Sequence, residues 1–170
     1  IARDLAGKFN RTYGEVFKLP QPFIPEEVAV VIGTDGRKMS KSYGNTIEIF
    51  ASDKDLKKQV MGIITDSTPV ESPKNPDGDT IYRLYSYFAA NDEKLSLAEK
   101  YRAGGLGYGD AKKMLLEKII ETFKPYREER EKLKGDLAYV KGILKRGAAK
   151  ARETAAATKA EIKKKVGLNI

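Results

Sequence analysis

The sequence predicts a mainly α protein, with a short α/β edge over residues 1–50 and an all-helical segment over residues 51–170. Three observations carry this. Apolar residues recur every three or four positions from about Ser52 onward. A single run, Val28-Ala29-Val30-Val31-Ile32, has the β-branched composition of a buried strand, expected to be parallel. Pro20, Pro22 and Pro25 break the chain between a first helical pattern and that run.

The first pattern sets Ile1, Leu5, Phe9 and Tyr13 at helical spacing, with Ala2 and Ala6 beside them, and Gly14 ends it. It opens with no initiator Met and no N-cap, so an upstream portion is expected. After the strand, Gly33-Thr34-Asp35-Gly36 signals a turn. Ser52 or Asp53 caps a helix through about Ile63, and an irregular Pro/Asp/Ser stretch runs from Thr65 to Asp79. Asp79 caps an aromatic-rich helix with Ile81, Leu84, Tyr85 and Phe88; its aromatic cluster reads as packing. Asp110 caps another, with Met114, Leu115, Ile119, Ile120 and Phe123 inward, and Pro125 should kink or interrupt it. Asp136 caps the last, whose stripe is Leu137, Val140, Leu144, Ala148, Ala151, Ala155, Ile162 and Val166.

Composition narrows the function. The 170 residues contain no cysteine and no histidine. Disulfides, thiolate metal sites and any histidine base or ligand from this chain are excluded. Asp4, Asp35, Asp53 and Asp66 form no metal constellation by spacing. No apolar run approaches a membrane span. The net charge of +8 is unevenly spread: residues 101–170 hold 18 Lys/Arg against 9 Asp/Glu, and the first hundred hold 14 against 15. That asymmetry fits a polyanion partner, nucleic acid first, and fits equally a solvated basic helical face.

The segment with chemistry is Lys38-Met39-Ser40-Lys41-Ser42. It offers two point cations and two hydroxyls on a backbone flanked by Gly33, Gly36 and Gly44. Attack on the α-phosphorus of a triphosphate builds charge on the departing pyrophosphate. Lysine ammonium groups can hold that charge more strongly in the transition state than in the ground state. The loop also leaves the carboxyl end of the expected strand, where open α/β sheets bind ligands. It is neither a Walker A loop nor a dinucleotide fingerprint.

Lys38-Met39-Ser40-Lys41-Ser42 resembles the second signature of class I aminoacyl-tRNA synthetases. Further segments resemble the tryptophanyl-tRNA synthetase family: Ile1 to Ala6 with Phe9-Asn10 and Tyr13-Gly14, Gly33 to Arg37, Tyr43-Gly44-Asn45 and Ile64 to Ser67. In the basic part the resemblance continues through Tyr108-Gly109-Asp110, Lys112-Lys113, Pro125, Arg127, Arg130, Gly147-Ala148 and Ala151-Arg152. The resemblance implies that residues 1–50 are the carboxy-terminal edge of a Rossmann-like catalytic domain and residues 51–170 a helical anticodon-binding domain. It implies ATP, with Mg²⁺ arriving on the nucleotide, and the activation of tryptophan followed by transfer to tRNA(Trp). Lys38 and Lys41 would contact the triphosphate, with Lys41 foremost for the pyrophosphate. Met39, Ser40 and Ser42 would shape the loop, and Ala29 (or Val30) would touch the adenosine. Lys112, Lys113, Lys141, Lys145, Arg146, Lys150 and Arg152 are the expected tRNA contacts.

The family's histidine-bearing first signature, its specificity helix and its Gly-x-Asp-Gln segment have no counterpart in the chain, so alone it is expected to be inactive. Most of the tryptophan pocket would lie elsewhere in a cytoplasmic, homodimeric parent. The alternatives are a tyrosyl-tRNA synthetase-like portion, or a non-catalytic RNA-binding module derived from a synthetase.

Overall fold

The computed structural model describes residues 1–25 and 29–168. Six α-helices follow one another among them: α1 (Ala2–Tyr13), α2 (Asp53–Met61), α3 (Thr80–Tyr85), α4 (Asn91–Ala103), α5 (Tyr108–Gly135) and α6 (Leu137–Lys165). The chain divides into two compact units, one of residues 26–130 and one of residues 1–25 with 131–170.

The larger unit holds the core. Leu56 and Val60 of α2, Ile81 and Leu84 of α3, Leu97 and Tyr101 of α4, and Leu115 and Ile119 of α5 are all buried together. Burying each such aliphatic side chain contributes about 1.5–3 kcal/mol. Edge-on ring pairs extend the cluster, Tyr82 with Tyr101 and Phe88 with Phe123. Caps set the helix starts. Ser52, not Asp53, caps α2, its hydroxyl accepting from the Asp55 amide at 3.1 Å. Asp79 caps α3 by accepting from the Tyr82 amide at 2.8 Å. The α4 start has no side-chain cap at Ala90; instead the Glu93 carboxylate accepts from the Ala90 amide at 2.7 Å. Between α2 and α3 the irregular stretch closes on Lys74, whose ammonium donates to the carbonyls of Pro69, Val70 and Ser72 and lies over the Tyr108 ring.

Two expectations change. Val28 lies outside the described residues, and Ala29 to Ile32 form no strand. Among the described residues the run makes one antiparallel bridge, Ile32 with Lys38. Val30 is 52% exposed and only Ile32 enters the core. A parallel strand needs neighbours on the same sheet, and no described residues supply one. The fold is therefore mainly α, with the α/β edge reduced to a hairpin. Second, α5 passes Pro125 without interruption. Proline removes one donor and crowds the preceding turn. Phe123 against Phe88 before it, and Arg127 bonded to Ala51 O and Asp53 after it, hold the helix on both sides.

In the smaller unit the periodic stripes are real but little buried. α1 buries only Ala6, and Ile1 is 96% exposed. Asn10 secures the segment after α1 by accepting from the amides of Val16 and Phe17 and donating to Phe17 O. α6 is capped by Asp136, which accepts from the Tyr139 amide at 2.8 Å, and has no buried residue.

Candidate functional site

The lysine segment is built as a hairpin closed by an arch. The Gly36 amide donates to Gly33 O at 3.0 Å, making the turn, and Gly36 has φ +76°, a region that favours glycine. Gly33 N donates to Arg37 O at 2.7 Å and Met39 N to Val31 O at 2.8 Å. Residues 37–39 thus run back along residues 31–33. A single 3₁₀ turn follows, Lys41–Tyr43, with Ser40 as its N-cap; the Ser40 hydroxyl accepts from the Ser42 amide at 3.3 Å. Gly44, at φ +64°, ends it.

Asn45 pins the base of this arch. Its side chain is 2% exposed and uses both polar atoms. Oδ1 accepts from the Ser40 amide at 2.8 Å. Nδ2 donates to Asp35 Oδ1 at 2.7 Å and to Lys38 O at 3.2 Å. Its carbonyl accepts from the Thr34 amide at 2.9 Å. Room for it comes from Gly33, where a Cβ would stand 2.4 Å from the Asn45 amide and 2.5 Å from its carbonyl oxygen. Asp35 also accepts from the Arg37 amide and guanidinium. The Asn45 amide, then the Arg37 bonds, hold the Asp35 carboxyl down to about 2, against burial that opposes them.

The three cations of the segment are used differently. Arg37 is exposed but engaged within the segment: it pairs with Asp35 at 2.7 Å and lies 5.0 Å from the Tyr43 ring centroid. Lys38 and Lys41 are exposed, and their ammonium groups make no hydrogen bond or ion pair with a described residue. Ser42 is exposed, while Met39 and Ser40 are half-buried. The arch therefore presents two lysines on a backbone fixed from below. Such a surface can meet the charge of a polyphosphate with two ammonium groups carried on a braced backbone.

The remaining site expectations fall elsewhere. Ala29 is exposed in a bend before the hairpin. The Lys112 ammonium donates to Met61 O at 3.0 Å, neutralising the carboxyl end of α2. Lys113 pairs with Asp110 at 2.8 Å, one turn earlier on α5. Lys141, Lys145, Arg146, Lys150 and Arg152 are all exposed along α6. Asn45, Asp35 and Gly33 were not among the expected site residues; a lone Asn in a sequence carries no sign of burial.

A strand-poor hairpin bearing two lysines beside a helical core is the local architecture, and comparison places it. The family of class I tRNA synthetases for W and Y matches residues 1–124, and the chain belongs to that family. The relatives are specific about the amino acid. The tryptophan–tRNA ligase of Fusobacterium nucleatum is 51% identical over 169 residues, covering 99% of this chain and 52% of its own length. That of Rhodopirellula baltica is 47% identical, with 99% and 52% covered. The crystal structure of Campylobacter jejuni tryptophanyl-tRNA synthetase complexed with ADP and tryptophan superposes with a TM-score of 0.83 at 45% identity, covering 98% of this chain and 52% of that one. The chain thus spans about half the length of the relatives it matches.

Proposed function

We propose that this chain is the carboxy-terminal half of a tryptophan–tRNA ligase, with residues 1–50 completing a catalytic domain and residues 51–170 forming the helical domain that binds the anticodon region. The observation that carries the reading is the arch with two lysines that pair with no described residue, in a chain similar to the tryptophan–tRNA ligases of Fusobacterium nucleatum and Rhodopirellula baltica. In the reaction the tryptophan carboxylate attacks the α-phosphorus of ATP and pyrophosphate leaves. Lys41, with Lys38, takes up the charge developing on the pyrophosphate. Met39, Ser40 and Ser42 shape the arch, and the Ser40 hydroxyl does so by capping the turn that carries Lys41. Ala29 stands before the hairpin as the adenosine contact. Mg²⁺ would accompany the nucleotide.

The second half of the reaction needs tRNA(Trp). Lys141, Lys145, Arg146, Lys150 and Arg152 can follow an RNA backbone. Lys112 and Lys113 would join them by exchanging their internal acceptors for phosphate. No helix among the described residues is long and apolar enough to cross a membrane. The parent is proposed to be a cytoplasmic homodimer whose tryptophan pocket is mostly outside this chain.

Tryptophan-dependent ATP–pyrophosphate exchange tests the reading. The full-length protein that carries this chain should catalyse it, and Lys41→Ala should lower kcat about a hundredfold. The 170-residue chain alone should show none. Activity in the isolated chain, or an unaffected Lys41→Ala variant, would refute it.

A further inference from the structure

The geometry points to Asn45 as a positioning residue for the lysine arch: its buried amide holds the main chain on both sides of Met39, and so sets the backbone from which Lys38 and Lys41 project. The inference rests on the reading of the arch as the pyrophosphate site.

The Lys38 carbonyl and the Ser40 amide flank Met39. Asn45 Nδ2 bonds the first and Oδ1 the second. A side-chain amide is the group suited to this, since it presents one acceptor and two donors in one plane. The second donor goes to Asp35, which Arg37 holds in turn. Ser40 is also the N-cap of the turn that begins at Lys41. Asn45 therefore acts on Lys38 through its own carbonyl, and on Lys41 through the residue before it. Its side chain is buried beneath the arch, so its contribution lies in preorganisation. Gly33 belongs to the same device, because any side chain there would displace Asn45.

Exchange kinetics of the full-length protein separate this from a general structural role. Asn45→Ala should lower kcat about tenfold, the scale of one lost net hydrogen bond, with KM for tryptophan changed less than about twofold. Ser40 amide exchange should accelerate while the Leu56 amide stays protected. Asn45→Asp is close to isosteric and carries the test if the alanine variant does not fold. It keeps the acceptor for Ser40 but sets a second carboxylate against Asp35, where Arg37 is the paired cation among the described residues. Two carboxylates at that distance share a proton when acidified. The activity deficit of Asn45→Asp relative to the native protein should therefore narrow from pH 8 to pH 6. Native kcat in Asn45→Ala, or a deficit in Asn45→Asp that does not move with pH, would overturn the inference. An unaffected Lys41→Ala variant would instead remove the reading beneath it. A hundredfold loss in Lys41→Ala beside an unchanged Asn45→Ala would remove the positioning role alone.

Discussion

Lys74 is a cation 6% exposed, and three carbonyls replace its water. Burial without those bonds would be unaffordable for an ammonium group. Lys74→Met keeps the length but takes the ammonium donor from the Ser72 carbonyl, while the Pro69 and Val70 carbonyls keep the Ser72 and Gly105 amides. It should destabilise the larger unit by about 1–3 kcal/mol in urea unfolding. Gly33→Ala is expected to cost a similar amount, about 1–3 kcal/mol, because its methyl group meets a main-chain oxygen that cannot turn aside. The Asp35 carboxyl, held at about 2 when folded against 3.8 for a free aspartate side chain, has a folded value below its unfolded one. Its contribution is thus complete above about pH 4 and is lost as pH falls through about 2. Carboxyl-carbon NMR should place the Asp35 midpoint near 2; a midpoint near 4 would mean that the Asn45 bond does not form in solution. At this scale the sequence singled out Lys38 and Lys41, because they sit in a recognisable string, and both are exposed in the structure. It did not show what holds them. Asn45 acquires its role only once residues 35, 38 and 40 converge on it.

Helix ends were legible wherever a short polar side chain does the capping. Ser52, Asp79 and Asp136 each accept from the amide three residues on. Ser52→Ala should therefore cost about 1 kcal/mol, measured by thermal or urea unfolding of the larger unit. Where another device operates, the pattern was silent. α4 starts at an alanine and borrows a carboxylate from Glu93, and the sequence drew no separate helix there. α5 begins at Tyr108, leaving Asp110 in its first turn and paired with Lys113, rather than at the cap. The β-branched run misled for a different reason. Composition reports a side chain's fitness for a sheet, but the sheet itself depends on partner strands that composition does not locate.

Across the whole molecule, burial is uneven. The larger unit has a continuous core, while α1 and α6 keep their apolar stripes largely in solvent. Amide exchange should follow that division, with the slowest amides at Leu56, Val60, Ile81 and Leu115 and fast exchange along α6. A uniform protection pattern would contradict it. The charge asymmetry belongs to this scale too. tRNA affinity should fall steeply with salt, and Lys145→Ala/Arg146→Ala/Lys150→Ala should reduce the slope of log K against log salt by about two. No change in slope would leave α6 as a solvated surface. The family was legible because a five-residue string and its flanks survive in the sequence. The amphipathic periods of α1 and α6 were legible as well, but a period shows which side of a helix is apolar and not what lies against it.

The hairpin and its arch close over very few residues. Their main links join 31 to 39, 33 to 37, 35 to 45 and 40 to 45. Ring closure over such short spans costs little chain entropy, so the piece can set its own shape without waiting for the rest of the chain. Among the described residues its ties to the helices include Ile32 in the core, Thr34 O to the Ile64 amide, and Val30 O to the Tyr87 hydroxyl. What the bracing fixes is main chain: the backbones that carry Lys38 and Lys41 are tied to one another through Asn45 more closely than either is tied to the helices.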